Sequence, residues 1–125
     1  MEDATREQNK RFITARLADP NKAEAMSWLS SGPPGSVRTL GEMESNEASV
    51  AFVRRLYDLG AVEVLAVEID TDENGDANSG ALLITLPDDP VARERLFGWS
   101  AQQAADMGFD GYEDFGQRHL FVMLD

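Results

Sequence analysis

Apolar residues recur at helical spacing in two segments of the chain. From about residue 46 an apolar stripe predicts an amphipathic helix, and Gly60 is suited to the left-handed position that ends such a helix. The Asp89-Pro90 pair combines an N-cap residue with a proline in the first turn, and it predicts a second helix over about 91–107. The body of the chain therefore contains two helices, with room for strands before, between and after them.

Runs of β-branched and apolar residues predict those strands. The segment 61–69, AVEVLAVEI, is the strongest, and the segment 80–86, GALLITL, follows it after an acidic loop. The segment 118–124, RHLFVML, is a third strand, and 37–43, VRTLGEM, is a weaker fourth. The predicted order of elements is β-α-β-β-α-β.

This order resembles the ferredoxin-like superfold, an α+β architecture in which an antiparallel sheet carries both helices on one face. The resemblance covers residues 37–124 and rests on the order of elements alone. It implies no particular activity, because this superfold carries many unrelated functions.

An N-terminal helical arm is predicted to precede this domain. Helix-forming residues dominate 4–18, and the Asp19-Pro20 pair predicts a second arm helix that runs to about Ser30. The Pro- and Gly-rich sequence SGPPGS then forms a hinge. We therefore divide the chain into an arm and hinge, 1–35, and an α+β domain, 36–125.

Both faces of the predicted sheet are apolar, although its two helices cover only one. The last strand directs Leu120, Val122 and Leu124 to one side and Phe121 and Met123 to the other. An uncovered apolar face of this size drives association, so we expect the arm or a second subunit to cover it, the latter as a homodimer. The candidate interface residues are Phe12, Trp28, Phe121 and Met123.

The net charge of −12 is concentrated in one segment. Residues 42–89 contain twelve acidic side chains and only two bases, Arg54 and Arg55. A surface of this kind repels phosphate backbones, so nucleic acid is not an expected partner. A basic protein is the partner that this charge favours, although solubility alone also explains it.

Composition also bears on the compartment. The chain contains no cysteine, which excludes disulfides and thiolate metal sites. The N-terminal sequence MEDATREQNKR is too polar for a secretory signal, and no apolar run approaches the roughly 20 residues of a membrane span. We expect a soluble cytoplasmic protein with no membrane partner.

The acidic loop DTDENGDANSG, residues 70–80, has two interpretations. Its first half matches an oxygen-rich calcium loop, but the position that should hold a bidentate glutamate is Ala81. Asn74-Gly75 is a strong turn signal, so the tip of a hairpin is the favoured interpretation. The residues that a calcium site would use are Asp70, Asp72, Asn74, Asp76 and Asn78.

His119, the only histidine, is the second candidate for chemistry. It lies at the start of the last strand beside Arg118 and follows a short acidic stretch. An imidazole acts as a general base only with a nucleophile and an orienting group, and no motif supplies them here. A structural role is the favoured interpretation. The candidate ligand-binding residues are Asp110, Glu113, Asp114, Arg118 and His119.

No catalytic constellation or cofactor motif is recognisable, so we expect a non-enzymatic domain that requires no cofactor. The leading hypothesis is regulatory binding of another protein. The alternatives are a small-molecule or enzymatic cleft near His119, between sheet and arm, and calcium binding by residues 70–78.

Overall fold

The computed structural model describes residues 2–108 and 113–124, with the side chains of that range apart from residues 2–6 and 9. The described elements form an α+β fold in which four helices pack on a five-stranded sheet. In chain order they are α1 Glu2–Ala18, β1 Ala23–Glu24, α2 Ala25–Ser30, β2 Arg38–Leu40, α3 Asn46–Asp58, β3 Glu63–Thr71, β4 Ala77–Thr85, α4 Pro90–Asp106 and β5 His119–Met123.

The two body helices begin close to the predicted residues. The Ser45 hydroxyl accepts a 3.0 Å hydrogen bond from the Ala48 N–H at the start of α3. The Asp89 carboxylate accepts a 2.9 Å bond from the Ala92 N–H at the start of α4. Each side chain satisfies a backbone donor that the first helical turn leaves unpaired, so both predicted helices are confirmed.

The prediction of a helix directly after Asp19-Pro20 is wrong. The Asp19 carboxylate instead accepts the Asn21 N–H at 2.8 Å in a local turn, and β1 then pairs antiparallel with β3. Helix α2 begins only at Ala25, where both oxygens of the Glu24 carboxylate cap it. Pairing with a distant strand has overridden the local helix signal, which weighs little against tertiary contacts.

The sheet is built around the β3–β4 hairpin. Strand β1 pairs with the far edge of β3, while β2 and β5 share the opposite edge, that of β4. Strand β2 runs parallel to β4 along Ala77–Ser79, and β5 runs antiparallel to it along Ala81–Thr85. The antiparallel sheet therefore contains one short parallel pair.

The ferredoxin-like strand order is not confirmed. That order places the last strand beside the first body strand, whereas here β5 pairs with β4. The physical reason is the length of β2, which has three residues and ends at Leu40, directly before Gly41. Gly41 abuts Leu124 so closely that an added Cβ would lie 2.6 Å from the Leu124 Cβ. The rest of the β4 edge is thus open to β5.

The regular alternation of residues between the two faces of the sheet is interrupted in β3 and β4. The interruption lies at the level where β2 ends and β5 begins to pair with β4. The consecutive carbonyls of Ser79 and Gly80 both face the shared edge, accepting the N–H groups of Gly41 and Leu124 at 2.8 and 2.9 Å. Regular strands alternate these directions. Glu68, opposite Gly80 in the register, has a φ of 55°, the only positive φ of a described non-glycine residue. We call this level of the sheet the face switch.

Two apolar clusters pack on the two faces of the sheet. The main core lies between the sheet and α2, α3 and α4, and it contains the buried Trp28. The second cluster, the arm core, contains Ile13 of α1 and Phe121 of β5. Its members are Ile13, Val67, Ala81, Leu83 and Phe121, with Phe12, Leu17 and Leu65 packed against them.

The arm therefore covers the second apolar face, which confirms arm packing as the way this face is buried. Trp28 lies in the main core, on the other side of the sheet from Phe12 and Phe121. The division of the chain at residue 35 stays a prediction, although β1 and α2 contribute to the same sheet and core as the body.

Candidate functional site

A groove of about 380 Å³ opens between α1 and the chain that leads into β5. It lies beside the arm core, where α1 packs on the sheet next to the residues that precede β5. Residues of α1 supply one wall, and the segment before β5 supplies the other. The lining residues are Glu7, Lys10, Ile13, Thr14, Leu17, Phe115, Gln117, Arg118 and His119.

His119 lies in this groove at the end of a row of side chains that crosses the sheet. Register places Glu63, Thr85 and His119 side by side on β3, β4 and β5. Burial lowers the pKa of His119, the charge of Arg118 lowers it further, and Glu63 opposes both effects. The imidazole is therefore neutral at pH 7, with one hydrogen-bond donor and one acceptor. Its ring hydrogen-bonds to no residue in 2–108 or 113–124.

Cationic side chains stand at the rim of the groove. Lys10 comes from α1 and Arg118 from the opposite wall, and Glu7 is the single acid among the lining residues that the structure describes. Neither cation forms an ion pair within the part of the chain that the structure describes, where the salt bridges are Arg16–Glu68 and Arg93–Asp114. This groove thus concentrates uncommitted positive charge on a protein of net charge −12.

Of the carboxylates predicted to join His119, neither Glu113 nor Asp114 lines the groove. Asp114 is held instead by Arg93 of α4 through two hydrogen bonds of 2.7 and 3.2 Å. The hydrogen bond from Arg93 keeps the pKa of Asp114 below its usual value. Glu113 is exposed, and its carbonyl accepts a bond from the Gln117 side chain. Asp110 lies outside the described residues.

Arg93 holds the segment that precedes β5 in place. Besides Asp114, its guanidinium donates to the carbonyls of Pro87 and Gln117 at 3.2 and 3.0 Å. One side chain on α4 thereby fixes both ends of the groove wall that carries Phe115. Charge-assisted bidentate bonds of this kind hold geometry well, so the wall is set before any ligand arrives.

The acidic loop is a hairpin tip, as its sequence predicts. One oxygen of the Asp72 carboxylate accepts the N–H groups of Asn74 and Asp76, at 2.9 and 3.0 Å, and Gly75 has a φ of 87°. The Asp76 carboxylate accepts the Val37 N–H at 2.7 Å and ties the tip to β2. Across residues 2–108 and 113–124, no three His, Asp or Glu side chains cluster in a way that would hold a metal ion.

Strand β5 presents an unpaired edge. The Arg118 carbonyl accepts the Leu86 N–H at 2.7 Å, and the Leu124 N–H donates to the Gly80 carbonyl at 2.9 Å. Bonded residues alternate along an antiparallel pair. The backbone N–H and C=O groups of His119, Phe121 and Met123 therefore point away from β4, and among the described strands β5 pairs with β4 alone. We call these outward groups the β5 edge. The Met123 side chain beside them is 47% exposed.

The sequence singles out His119, but it gives little indication of the groove around it. Lys10 and Thr14 lie one helical turn apart, next to Ile13, and this pairing of polar and apolar positions is the only local signal. Nothing in the sequence shows that this turn of α1 meets a segment more than 100 residues away.

Comparison with the profiles of known protein families, with curated proteins and with solved structures gave no match. Of the helices in the described residues, none has both the length and the apolar character needed to cross a membrane.

Proposed function

We propose that this protein is a non-enzymatic binding domain that accepts an extended segment of another protein along the β5 edge. The observation that carries the proposal is the one-sided pairing of β5, whose outward backbone groups at three alternate residues have no strand beside them in the described chain. Strand addition at such an edge is a common mode of peptide recognition, because the backbone itself supplies the hydrogen bonds.

The composition of β5 supports this use of its edge. Unprotected edges are usually blunted by charged residues or proline, especially lysine. The sequence HLFVM has neither, apart from a histidine that is neutral at pH 7. The exposed Met123 adds a flexible apolar surface of the kind found at adaptable interfaces. The edge thus has donors, acceptors and an apolar contact, and nothing that repels a strand.

The charge of the domain indicates the chemistry of the partner. A net charge of −12 attracts a basic segment and accelerates its association at low salt. A second copy of the chain is disfavoured by the same charge, although it would satisfy the edge equally well. We therefore propose a basic, extended protein segment as the partner, with self-pairing as the alternative that an experiment must separate.

Extended basic peptides selected from a display library on the wild-type protein provide the test. Met123→Lys should weaken their binding by about tenfold or more, since lysine blunts an edge strand. Val91→Lys is the matched control, because Val91 is also exposed but lies on α4, and it introduces the same charge. Equal affinities of the two variants would contradict the proposal.

Amide hydrogen exchange tests the geometry directly. In the free protein, the amides of Phe121 and Met123 should exchange much faster than those of Leu120 and Val122, which face β4. Peptide binding should slow the first pair. Protection of Phe121 and Met123 that depends on protein concentration would instead show self-pairing, and strong protection in a dilute monomer would refute an open edge.

A further inference from the structure

We infer that the groove between α1 and the segment before β5 is a binding site for a small organic carboxylate with an apolar body. This site adjoins the β5 edge at His119 but differs from it, because the groove is lined by side chains of α1 and of residues 115–119, whereas the edge consists of backbone groups. Three features carry the inference: the size and floor of the groove, the side chains already committed to internal bonds, and the sign of the charges that remain.

The floor of the groove is apolar. Ile13 is 6% exposed and belongs to the arm core, and Leu17 packs against the same cluster. Phe115 lines the opposite wall, where Gln117 and Arg93 fix the surrounding loop. A volume of about 380 Å³ lies within the range of sites for small ligands and corresponds to roughly a dozen water molecules. Burial of a compact apolar group would displace that water.

Two of the polar lining residues are already occupied. The Thr14 hydroxyl donates to the Lys10 carbonyl at 2.7 Å. The Gln117 side chain accepts from the Phe115 N–H and donates to the Glu113 carbonyl, both at 2.9 Å. These residues shape the walls. Recognition of a ligand is left to the charged side chains and the imidazole.

The remaining groups select a single negative charge. Lys10 and Arg118 are the basic side chains of the groove, and neither has an ion-pair partner in the described residues. His119 contributes one neutral donor and one acceptor, and Glu7 is the only acid among the described residues that line the groove. The formal charges of Lys10, Arg118 and Glu7 sum to +1, which a monocarboxylate matches, whereas phosphorylated ligands with several charges are repelled by the net charge of −12. Carboxylate oxygens also accept bonds from Lys and Arg in favourable geometry.

The probes are 3-phenylpropionate and hexanoate, each compared with its neutral amide, and binding is followed by amide chemical shifts in the full-length protein. We expect saturable shifts for the carboxylates at Lys10, Thr14 and His119, and much smaller shifts for the amides. Lys10→Gln and Arg118→Gln should each weaken carboxylate binding by about tenfold, the usual cost of one charge-assisted hydrogen bond. Arg54→Gln, which removes an exposed charge from α3, is the matched control and should leave affinity unchanged.

A variant with a larger side chain in the groove provides a second test. Thr14 is exposed, so Thr14→Phe should occupy the groove without disturbing the core and should abolish binding. The inference is overturned if neither carboxylate gives saturable shifts. It is also overturned if the amides bind equally well, or if Thr14→Phe binds like the wild type. None of these outcomes depends on the β5 edge, whose test uses Met123→Lys and leaves the groove intact.

Discussion

The ring of Phe12 meets the ring of Phe121 edge to face, with 4.6 Å between centroids and 83° between planes. This contact joins α1 to β5 and covers the apolar face that the body helices leave open. The Arg16 guanidinium lies over the Phe12 ring at 3.9 Å and donates to the Glu68 carboxylate at 3.2 Å, so it secures the same helix to β3. The arm is thus attached through aromatic packing, a cation–π contact and one ion pair.

Phe12→Ala should loosen the arm. We expect a loss of about 2 kcal/mol of unfolding free energy, less than for a fully buried phenylalanine because Phe12 is half-buried. Phe121 should also become accessible and increase the fluorescence of an apolar dye. Urea denaturation checks the first result, with Val62→Ala as a control that removes an exposed apolar side chain. Equal stabilities of the two variants would show that the arm adds little to the fold.

Tyr57→Phe should destabilise the protein at neutral pH and remove part of its sensitivity to alkali. The Tyr57 hydroxyl donates to the Glu24 carboxylate at 2.7 Å and accepts from the Val64 N–H at 3.0 Å, so its loss should cost about 1–3 kcal/mol. Burial and the Glu24 hydrogen bond raise the pKa of Tyr57 to about 12.

The sign of the alkaline effect follows from that shift. The folded state holds the phenol proton more tightly than the unfolded state, so the contribution to stability is complete below pH 10 and is lost between pH 10 and about 12. Urea denaturation at pH 7, 9 and 11 should show a steeper loss for the wild type than for Tyr57→Phe. Parallel curves would contradict the assignment of this loss to Tyr57.

His119 should make the protein less stable in mild acid. Burial and Arg118 lower the pKa of His119 from its ordinary 6.5, so the unfolded state takes up this proton first as the pH falls. Stability should be level above pH 6.5 and decline below it. His119→Gln should remove that decline between pH 6.5 and 5, measured by thermal unfolding in matched buffers. A decline of equal size in the variant would assign it to carboxylates instead.

Glu68→Gly should be tolerated or stabilising, although glycine normally weakens a strand. At a φ of 55° glycine avoids roughly 1–2 kcal/mol of strain that other residues bear. The ion pair with Arg16 is partly exposed, so its loss should cost less than this strain. Glu63→Gly, in the same strand with an ordinary φ, should cost about 0.5–1 kcal/mol. If both variants lose equal stability in urea, the face switch stores no strain.

The periodicity of the sequence predicted the long elements well. Helices α3 and α4 and strands β3 and β5 appear within a few residues of the expected limits, because each carries its own apolar pattern and its own caps or turns. Strand β4 begins earlier than predicted, at Ala77. Asn78 and Ser79 resemble turn residues, yet the Asn78 side chain bonds to Thr39 and Gly41, and the Ser79 hydroxyl is buried against the carbonyls of Val67 and Ala81.

The features that escaped prediction depend on contacts between distant residues. Strand β1 has two residues and exists only because β3 offers an edge to it. The groove combines Lys10 with Arg118, and its acidic neighbour Asp114 is diverted to Arg93. The local sequence pattern predicts which residues are buried and where turns occur. Which remote side chains contact one another depends on the assembled fold.

Gly41 lies directly against Leu124, so β2 and β5 compete for the backbone groups along one edge of β4. Any side chain at Gly41 would collide with Leu124, and the φ of 51° there also favours glycine. An extension of β2 by even one residue would have to displace the end of β5. The length of β2 therefore limits the length of β5, and a substitution near residue 41 should alter the backbone pairing of the C-terminal strand.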